Sequence, residues 1–244
     1  MKPSRMRVDR LLVERGLFES RAKAQAAIEA GLVRANNCVV GKASDQIACD
    51  AELVAKPAHP YVSRAGLKLV AALDHFGFDP RDRICLDVGA STGGFTQVLH
   101  QRAARRVMAI DVGREQLHAS LRSVPGIVSL EGVDIRELTP SQLGDPPDLV
   151  TIDVSFISLK LVLPAATKLA APKAQLVALI KPQFEAGPEH VRKGLVRDPA
   201  VHEAVCTAIE AFVRSLDWQV LGLMPSPITG GDGNREFLLG ATRG

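Results

Sequence analysis

Aromatic side chains are scarce in this 244-residue chain, which has one Trp, one Tyr and eight Phe. So few rings leave little from which to build the base-stacking platform of an RRM or OB fold. Cysteine is equally sparse. Cys38, Cys49, Cys85 and Cys206 lie far apart, with no C-x-x-C and no histidine at zinc spacing, which excludes a zinc ribbon and a disulfide scaffold. They read as buried apolar residues or free thiols of a reducing compartment. The six histidines form no H-E-x-x-H, and no metal is expected. Long apolar runs are missing too. The most apolar stretch, residues 159–180, is broken by Lys160, Lys168, Lys173 and two prolines, so nothing is expected to span a bilayer. The basic first ten residues lead into an amphipathic pattern rather than an apolar signal-peptide core. These absences point to a soluble, cytoplasmic protein.

What the chain does have is charge placed unevenly. The whole carries a formal +3, yet between Lys2 and Arg34 bases outnumber acids by four. A basic front end of this kind is an electrostatic footprint for nucleic acid. Val8, Leu11 and Leu12 recur at helical spacing before Gly16, and Ser20 can cap a second helix that Gly31 stops. Leu32-Val33 and Val39-Val40 flank Asn36-Asn37 as two short strands flank a turn. The run RVDRLLVERGLFESRAKAQAAIEAGLVRANN resembles the S4 RNA-binding module of ribosomal and RNA-modifying proteins. That resemblance implies a small α+β domain over residues 6–55 whose Arg7, Arg10, Arg21 and Lys23 meet RNA phosphates. Lys56-Pro57-Ala58-His59-Pro60 reads as a short semi-rigid linker, placed at 56–61.

From residue 62 to 244 strands and helices alternate, the pattern of an α/β sheet with helices on both faces. Strands are expected at 84–88, 107–111, 127–131, 149–153 and 175–181, with a Pro-started helix after Asp198. Two last strands, 220–224 and 236–240, have no helix between them and must pair antiparallel, as in Rossmann-like methyltransferases rather than dehydrogenases. After the first strand comes Asp87-Val88-Gly89-Ala90-Ser91-Thr92-Gly93-Gly94, whose glycines let a ligand approach the backbone. Ser91 stands where a dinucleotide fingerprint has its second glycine, which argues against a pyrophosphate. Asp111 is placed for ribose hydroxyls and Asp134 for an adenine amino group. Several acids around one pocket suit a cationic sulfonium, so S-adenosylmethionine is expected rather than NAD, contacted by Asp87, Gly89, Ser91, Gly93, Asp111 and Asp134.

The segments YVSRAGLKL, DVGASTGGFTQ, AIDVG, IDVSFISL, LIKPQFEAG and NREFLLGA together resemble the TlyA (haemolysin A) branch of the FtsJ-like ribosomal-RNA 2′-O-methyltransferases. The resemblance spans nearly the whole chain and implies methyl transfer to the ribose 2′-hydroxyl of a cytidine in ribosomal RNA, free or within a subunit. It also implies a Lys-Asp-Lys-Glu tetrad, here Lys68, Asp153, Lys181 and Glu236, and adds Arg64 to the RNA-contacting bases. The chemistry asks for little else. A 2′-hydroxyl must lose its proton as it attacks, so the protein aligns the reactants and accepts one proton, contributions of roughly 7–11 kcal/mol and about 10²–10⁴-fold respectively. The expectation is Lys181 as proton acceptor, Asp153 and Glu236 orienting it, and Lys68 as the neighbouring cation that favours its neutral form.

Residues 184–197, with Arg192, Lys193 and Gly194, are read as a lid that closes on RNA rather than an idle surface connection. The loop 225–234 is read as mobile and as positioning Glu236. Two departures from the family pattern stand out. Ala65 replaces a usual glycine, and Asp134 replaces a usual uncharged polar residue. A non-catalytic RNA-binding assembly factor and a membrane-active haemolysin are the competing readings.

Overall fold

The computed structural model describes residues 4–230 and 233–244; Lys2, Gly231 and Asp232, the last two in the loop expected to position Glu236, lie outside the described residues. The chain divides into two compact units, Met1–Pro60 and Tyr61–Gly244.

In the first unit β1 (Arg5–Arg7) runs into α1 (Val8–Glu14), followed by α2 (Arg21–Glu29), β2 (Val33–Ala35), β3 (Cys38–Val39), β4 (Gln46–Ala48) and β5 (Leu53–Ala55). Ser20 Oγ accepts the Lys23 N–H at 3.3 Å, the N-cap its sequence position predicts. Asn36 and Asn37, at φ 46° and 63°, form the left-handed turn between β2 and β3, as a tight hairpin requires. Val8, Leu12, Ala24, Ala27, Ile28 and Val33 make one small core between the helix pair and the strands. Strands β1, β4 and β5 were not expected. Each has three residues, too few for alternation to show, and β1 and β4 exist as strands only by pairing with each other.

The second unit contains α3 (Ala65–Phe76), β6 (Ile84–Val88), α4 (Gly94–Gln101), β7 (Arg106–Asp111), α5 (Ala119–Arg122), β8 (Ile127–Glu131), α6 (Pro140–Leu143) and β9 (Leu149–Ile152). It continues with α7 (Leu159–Leu169), β10 (Ala174–Ile180), α8 (Pro182–Glu185), α9 (Pro199–Ser215), β11 (Gln219–Pro225) and β12 (Phe237–Arg243). The seven strands form one sheet in the order β11-β12-β10-β9-β6-β7-β8. The pairs from β10 across to β8 are parallel, and β12 and β11 add an antiparallel hairpin at one edge.

Strand β6 shows how the sheet is built. Ile84, Leu86 and Val88 point to the face covered by α7 and α9, and Cys85 points to the face covered by α3 and α4. A strand buried on both faces is apolar at nearly every position, here all but Asp87, which is why it reads as a run in sequence. Each large side chain so buried contributes roughly 1.5–3 kcal/mol of transfer free energy. From β6 the chain builds β7 and β8 on one side, then crosses to β9 and β10 on the other. The direction of winding reverses between β6 and β9, and the carboxyl ends of those strands frame a crevice.

Candidate active site

The crevice holds a cavity of about 570 Å³ walled by the ends of β6, β7 and β9. That volume lies within the roughly 300–1,000 Å³ typical of small-molecule sites. Gly89 opens the turn at its floor with φ +82°, and a Cβ there would stand 2.6 Å from the Asp153 carbonyl oxygen. Only glycine lets β6 and β9 approach this closely at their ends. Ser91 takes a left-handed φ of 46°, and its N–H donates to Asp111 Oδ2 at 2.7 Å. The Gly113 N–H donates to Asp111 Oδ1, also at 2.7 Å, so the Asp111 carboxylate is fixed from two sides while facing the cavity.

Of the residues expected to contact a cofactor, Gly89, Ser91, Asp111 and Asp134 line this cavity. Asp87 and Gly93 do not. Strand alternation turns Asp87 away from the crevice, and its fully buried carboxyl accepts Thr96 Oγ1–H at 2.6 Å and Thr151 Oγ1–H at 3.0 Å. It ties β6, α4 and β9 together beneath the turn. Burial pushes this carboxyl up to about 7, against the lowering effect of the two hydroxyls. Gly93 is needed for packing, because at φ +94° a Cβ would come 2.5 Å from Leu121 Cδ1. Asp134 is held by Arg136, whose guanidinium lies 2.5 Å from Oδ2 and keeps the carboxyl below its ordinary range. Arg136 also lines the cavity, so this acid meets a ligand already paired.

A smaller, polar cavity of about 160 Å³ shares Gly89, Ser91, Asp153 and Ser155 with the first and adds Lys181, Ser63 and the start of α4. Lys181 leaves the end of β10, where Pro182 holds it extended at φ −113°, ψ 98°. Its Nζ lies 2.7 Å from Asp153 Oδ1 and donates to Ser155 Oγ at 2.8 Å. The approach to Asp153 is an ionic contact off the hydrogen-bond axis, which leaves Oδ1 without a well-directed donor. Lys68, on the buried face of α3, reaches Glu236 instead, with Nζ 2.5 Å from Oε2. The four expected catalytic side chains therefore form two ion pairs, Lys181–Asp153 and Lys68–Glu236. Glu236 does not orient Lys181 directly, contrary to expectation, because its carboxylate turns to α3.

Two residues at this site went unnoticed in the sequence. Ser155 is the hydroxyl partner of Lys181, and Phe156 is 90% exposed with φ +64° on the rim of the larger cavity, 5.1 Å from the Phe184 ring. Both sit in IDVSFISL, where a β-branched run with one aromatic signals only a strand end. Among the described residues no cluster of three or more His, Cys, Asp or Glu could hold a metal ion.

In the first unit the expected RNA-contacting bases differ in freedom. Arg7 and Arg21 both grip the buried Asp9, with Nη2 atoms 3.0 and 2.7 Å from Oδ2. Their hydrogen bonds, Arg7's first, hold Asp9 well below the usual carboxylate range. Lys23 pairs with Glu19 at 2.5 Å, and Arg10 is exposed. Arg64, in the second unit, is exposed where α3 begins.

The FtsJ-like methyltransferase family matches residues 61–243, and the S4 domain matches residues 6–48. The chain belongs to the FtsJ-like methyltransferase family. It is 46% identical over 243 residues to YqxC of Bacillus subtilis, named a candidate rRNA methyltransferase, covering 98% of this chain and 86% of that one. It is 43% identical over 238 residues to the 16S/23S rRNA (cytidine-2′-O)-methyltransferase TlyA of Mycobacterium tuberculosis, covering 96% of this chain and 89% of that one. A solved structure of a candidate hemolysin from Streptococcus thermophilus matches with a TM-score of 0.78 at 43% identity, over 98% of this chain and 88% of that one.

Methyltransferases of this family draw the methyl group from S-adenosylmethionine. The larger cavity fits that molecule. Ile110, Val133, Ile135 and Val162 give the cavity apolar walls, and the Asp111 and Asp153 carboxylates give it acidic ones, a lining suited to an apolar base attached to a cation.

Proposed function

We propose that this protein methylates the ribose 2′-hydroxyl of a cytidine in ribosomal RNA, with Lys181 as proton acceptor. The observation that carries the reading is a pair of neighbouring cavities: the ligand crevice at the strand ends and a small polar chamber lined by Lys181 share Gly89, Ser91, Asp153 and Ser155 as walls. The substrate class comes from the relatives, whose names describe cytidine-2′-O-methylation of ribosomal RNA.

S-adenosylmethionine supplies a methyl group already activated by its bond to a sulfonium. The chain's own residues then have two tasks. Gly89, Ser91 and Asp111 would hold the donor in the larger cavity, which shares Gly89 and Ser91 with the smaller chamber. The reacting form is the one in which Lys181 has given a proton to solvent. Its neutral amine, held beside Asp153 and Ser155, takes the hydroxyl proton, and the ammonium so formed is the one that pairs with the Asp153 carboxylate. Lys68 and Glu236 neutralise each other while buried, so they act by fixing α3 against the start of β12. The first unit, with its S4 match, supplies phosphate contacts that position the RNA. A ribosomal-RNA substrate supports a cytoplasmic site of action.

The test is incubation with unmodified ribosomal subunits, and separately with naked ribosomal RNA, in the presence of isotopically labelled S-adenosylmethionine. Mass spectrometry then locates the label. A 2′-O-methylcytidine in wild-type reactions, absent with Lys181→Ala, is expected. Cofactor binding without methyl transfer to either substrate overturns the reading in favour of an assembly factor. The haemolysin naming of one structural relative has no support from a spanning segment, since no helix among the described residues is long and apolar enough to cross a membrane.

A further inference from the structure

Within the segment expected to be a lid, residues 192–196 are tied by hydrogen bonds to one another, to Asn234 and to His202. Residues 192–195 form a tight turn in which the Arg192 and Leu195 backbones exchange hydrogen bonds of 2.9 and 3.0 Å. Lys193 and Gly194 occupy its centre at φ +51° and +77°. Arg192, Lys193 and Arg197 are all exposed.

One side chain holds this turn from behind. Asn234, 2% exposed, donates from Nδ2 to the Gly194 carbonyl at 2.8 Å and accepts the Val196 N–H on Oδ1 at 3.1 Å. His202 Nε2 lies 2.9 Å from the Val196 carbonyl, which can only accept, so that nitrogen carries the proton. Both ends of the Asn234 amide are spent on the turn, and its own carbonyl accepts the Gly230 N–H at 2.9 Å. Two residues later comes Glu236, buried against Lys68 and held through its carbonyl by the Ser226 N–H at 2.9 Å. The basic turn and the Lys68–Glu236 pair are therefore fixed by the same few residues.

We propose that Asn234 is a positioning residue that locks the Arg192–Lys193 turn, a docking point for an RNA backbone phosphate, into one rigid unit with Glu236. This inference rests on RNA being the substrate, as proposed above. Two cations on a turn held by this many hydrogen bonds recognise a phosphate with less of the ordering entropy that a free loop would lose. A phosphate seated there is then at a fixed distance from the Lys68–Glu236 pair, and so registers the bound strand against the catalytic chamber.

The experiment is a double-mutant cycle on the full chain with in-vitro transcribed, unmodified ribosomal RNA, read both as RNA binding against salt and as steady-state methyl transfer. The turn is discharged with Arg192→Gln plus Lys193→Asn, asparagine being tolerant of positive φ. Asn234 is changed to Ala and, separately, to Asp, which keeps the acceptor for Val196 but loses the donor to Gly194. Discharging the turn is expected to lower the slope of log K against log salt by about 1, the value for one phosphate, and to raise KM with kcat unchanged. Asn234→Ala is expected to raise KM and lower kcat together, with Asn234→Asp intermediate. In the Asn234→Ala background, discharging the turn should cost much less than in wild type. S-adenosylmethionine affinity should stay at the wild-type value throughout, and if the Ala variant does not fold, the Asp variant carries the cycle.

A salt slope unmoved by discharging the turn removes the phosphate site. Costs that multiply independently in the cycle remove the positioning role of Asn234. RNA binding is read without turnover, so a wild-type protein that transfers no methyl group would defeat the proposed reaction while the cycle still decides this inference.

Discussion

Lys181 and Glu236 stand opposite each other across the antiparallel β10–β12 pair, one step beyond Ile180 and Phe237, yet each is paired elsewhere. Lys181 turns to Asp153 at the end of β9, and Glu236 turns to Lys68 on α3. The sheet thus brings two ion pairs side by side and leaves only one of them in the wall of the chamber.

That division predicts different behaviour for the two lysines. Lys181→Ala should lower kcat by about 10²–10⁴-fold, the usual range for a positioned base, with S-adenosylmethionine affinity unchanged. Lys181→Arg is the sharper variant, because it keeps the positive charge but cannot release its proton. It should be as inactive as the alanine variant. Single-turnover methyl transfer decides the matter, and an active arginine variant would assign Lys181 an electrostatic role.

Lys68 and Glu236 should behave as a structural unit. Lys68→Met leaves Glu236 as an unpaired buried charge, which typically costs about 3–5 kcal/mol. The double variant Lys68→Met with Glu236→Leu should recover most of that loss, since apolar pairs of similar volume often replace buried ion pairs without penalty. Urea denaturation of the three variants measures it. A double variant as unstable as the sum of the singles would show that other groups depend on these charges.

Much of this arrangement was legible in the sequence and its limits have physical causes. Strands β6 and β8 read correctly to the residue because each is a short β-branched and apolar segment stopped by a glycine at positive φ, Gly89 after β6 and Gly132 after β8. This holds even though β8 lies at the sheet edge and carries Ser129 and Glu131. The tetrad members were legible as motif positions, but their pairing was not. Whether Glu236 meets Lys68 or Lys181 depends on how α3 packs on the sheet, which no spacing encodes. Asp87 was misread for a related reason. A carboxylate beside a glycine turn looks like a ligand contact, and only the parity of the strand turns it inward to Thr96 and Thr151.

Asp87 carries a pH signature. Its native carboxyl titrates at about 7, mainly because burial disfavours the charged form, while the same side chain in an unfolded chain titrates near its ordinary 3.8. Between those values the native state holds a proton that the unfolded state has lost, so stability is greatest below the lower value and declines as pH rises through the higher. Asp87→Asn cannot ionise and should lack this decline. Thermal melts from pH 5 to 8 should show the wild type losing ground steadily to the variant. Parallel curves would mean that Asp87 is ionised in the native protein throughout that range.

The opposite sign applies to Asp9 in the first unit. Arg7 and Arg21 hold its carboxyl well below the ordinary range, so its contribution to stability is present above the unfolded carboxylate range and is lost as pH falls through the native value. The same clamp divides the labour among the bases. Arg7 and Arg21 are oriented by Asp9 and already partly neutralised, whereas Arg10 faces solvent. Arg10→Ser should therefore reduce the salt slope of RNA binding by about 1 with no change in melting. Asp9→Asn should release both arginines, lower the stability of the Met1–Pro60 unit at neutral pH, and abolish its extra sensitivity to acid. Hydrogen exchange of α1 and α2 amides across pH 3 to 7 separates these outcomes. Equal protection in wild type and Asp9→Asn at neutral pH would show that the apolar contacts of Val8, Leu12 and Ile28 alone hold the helix pair.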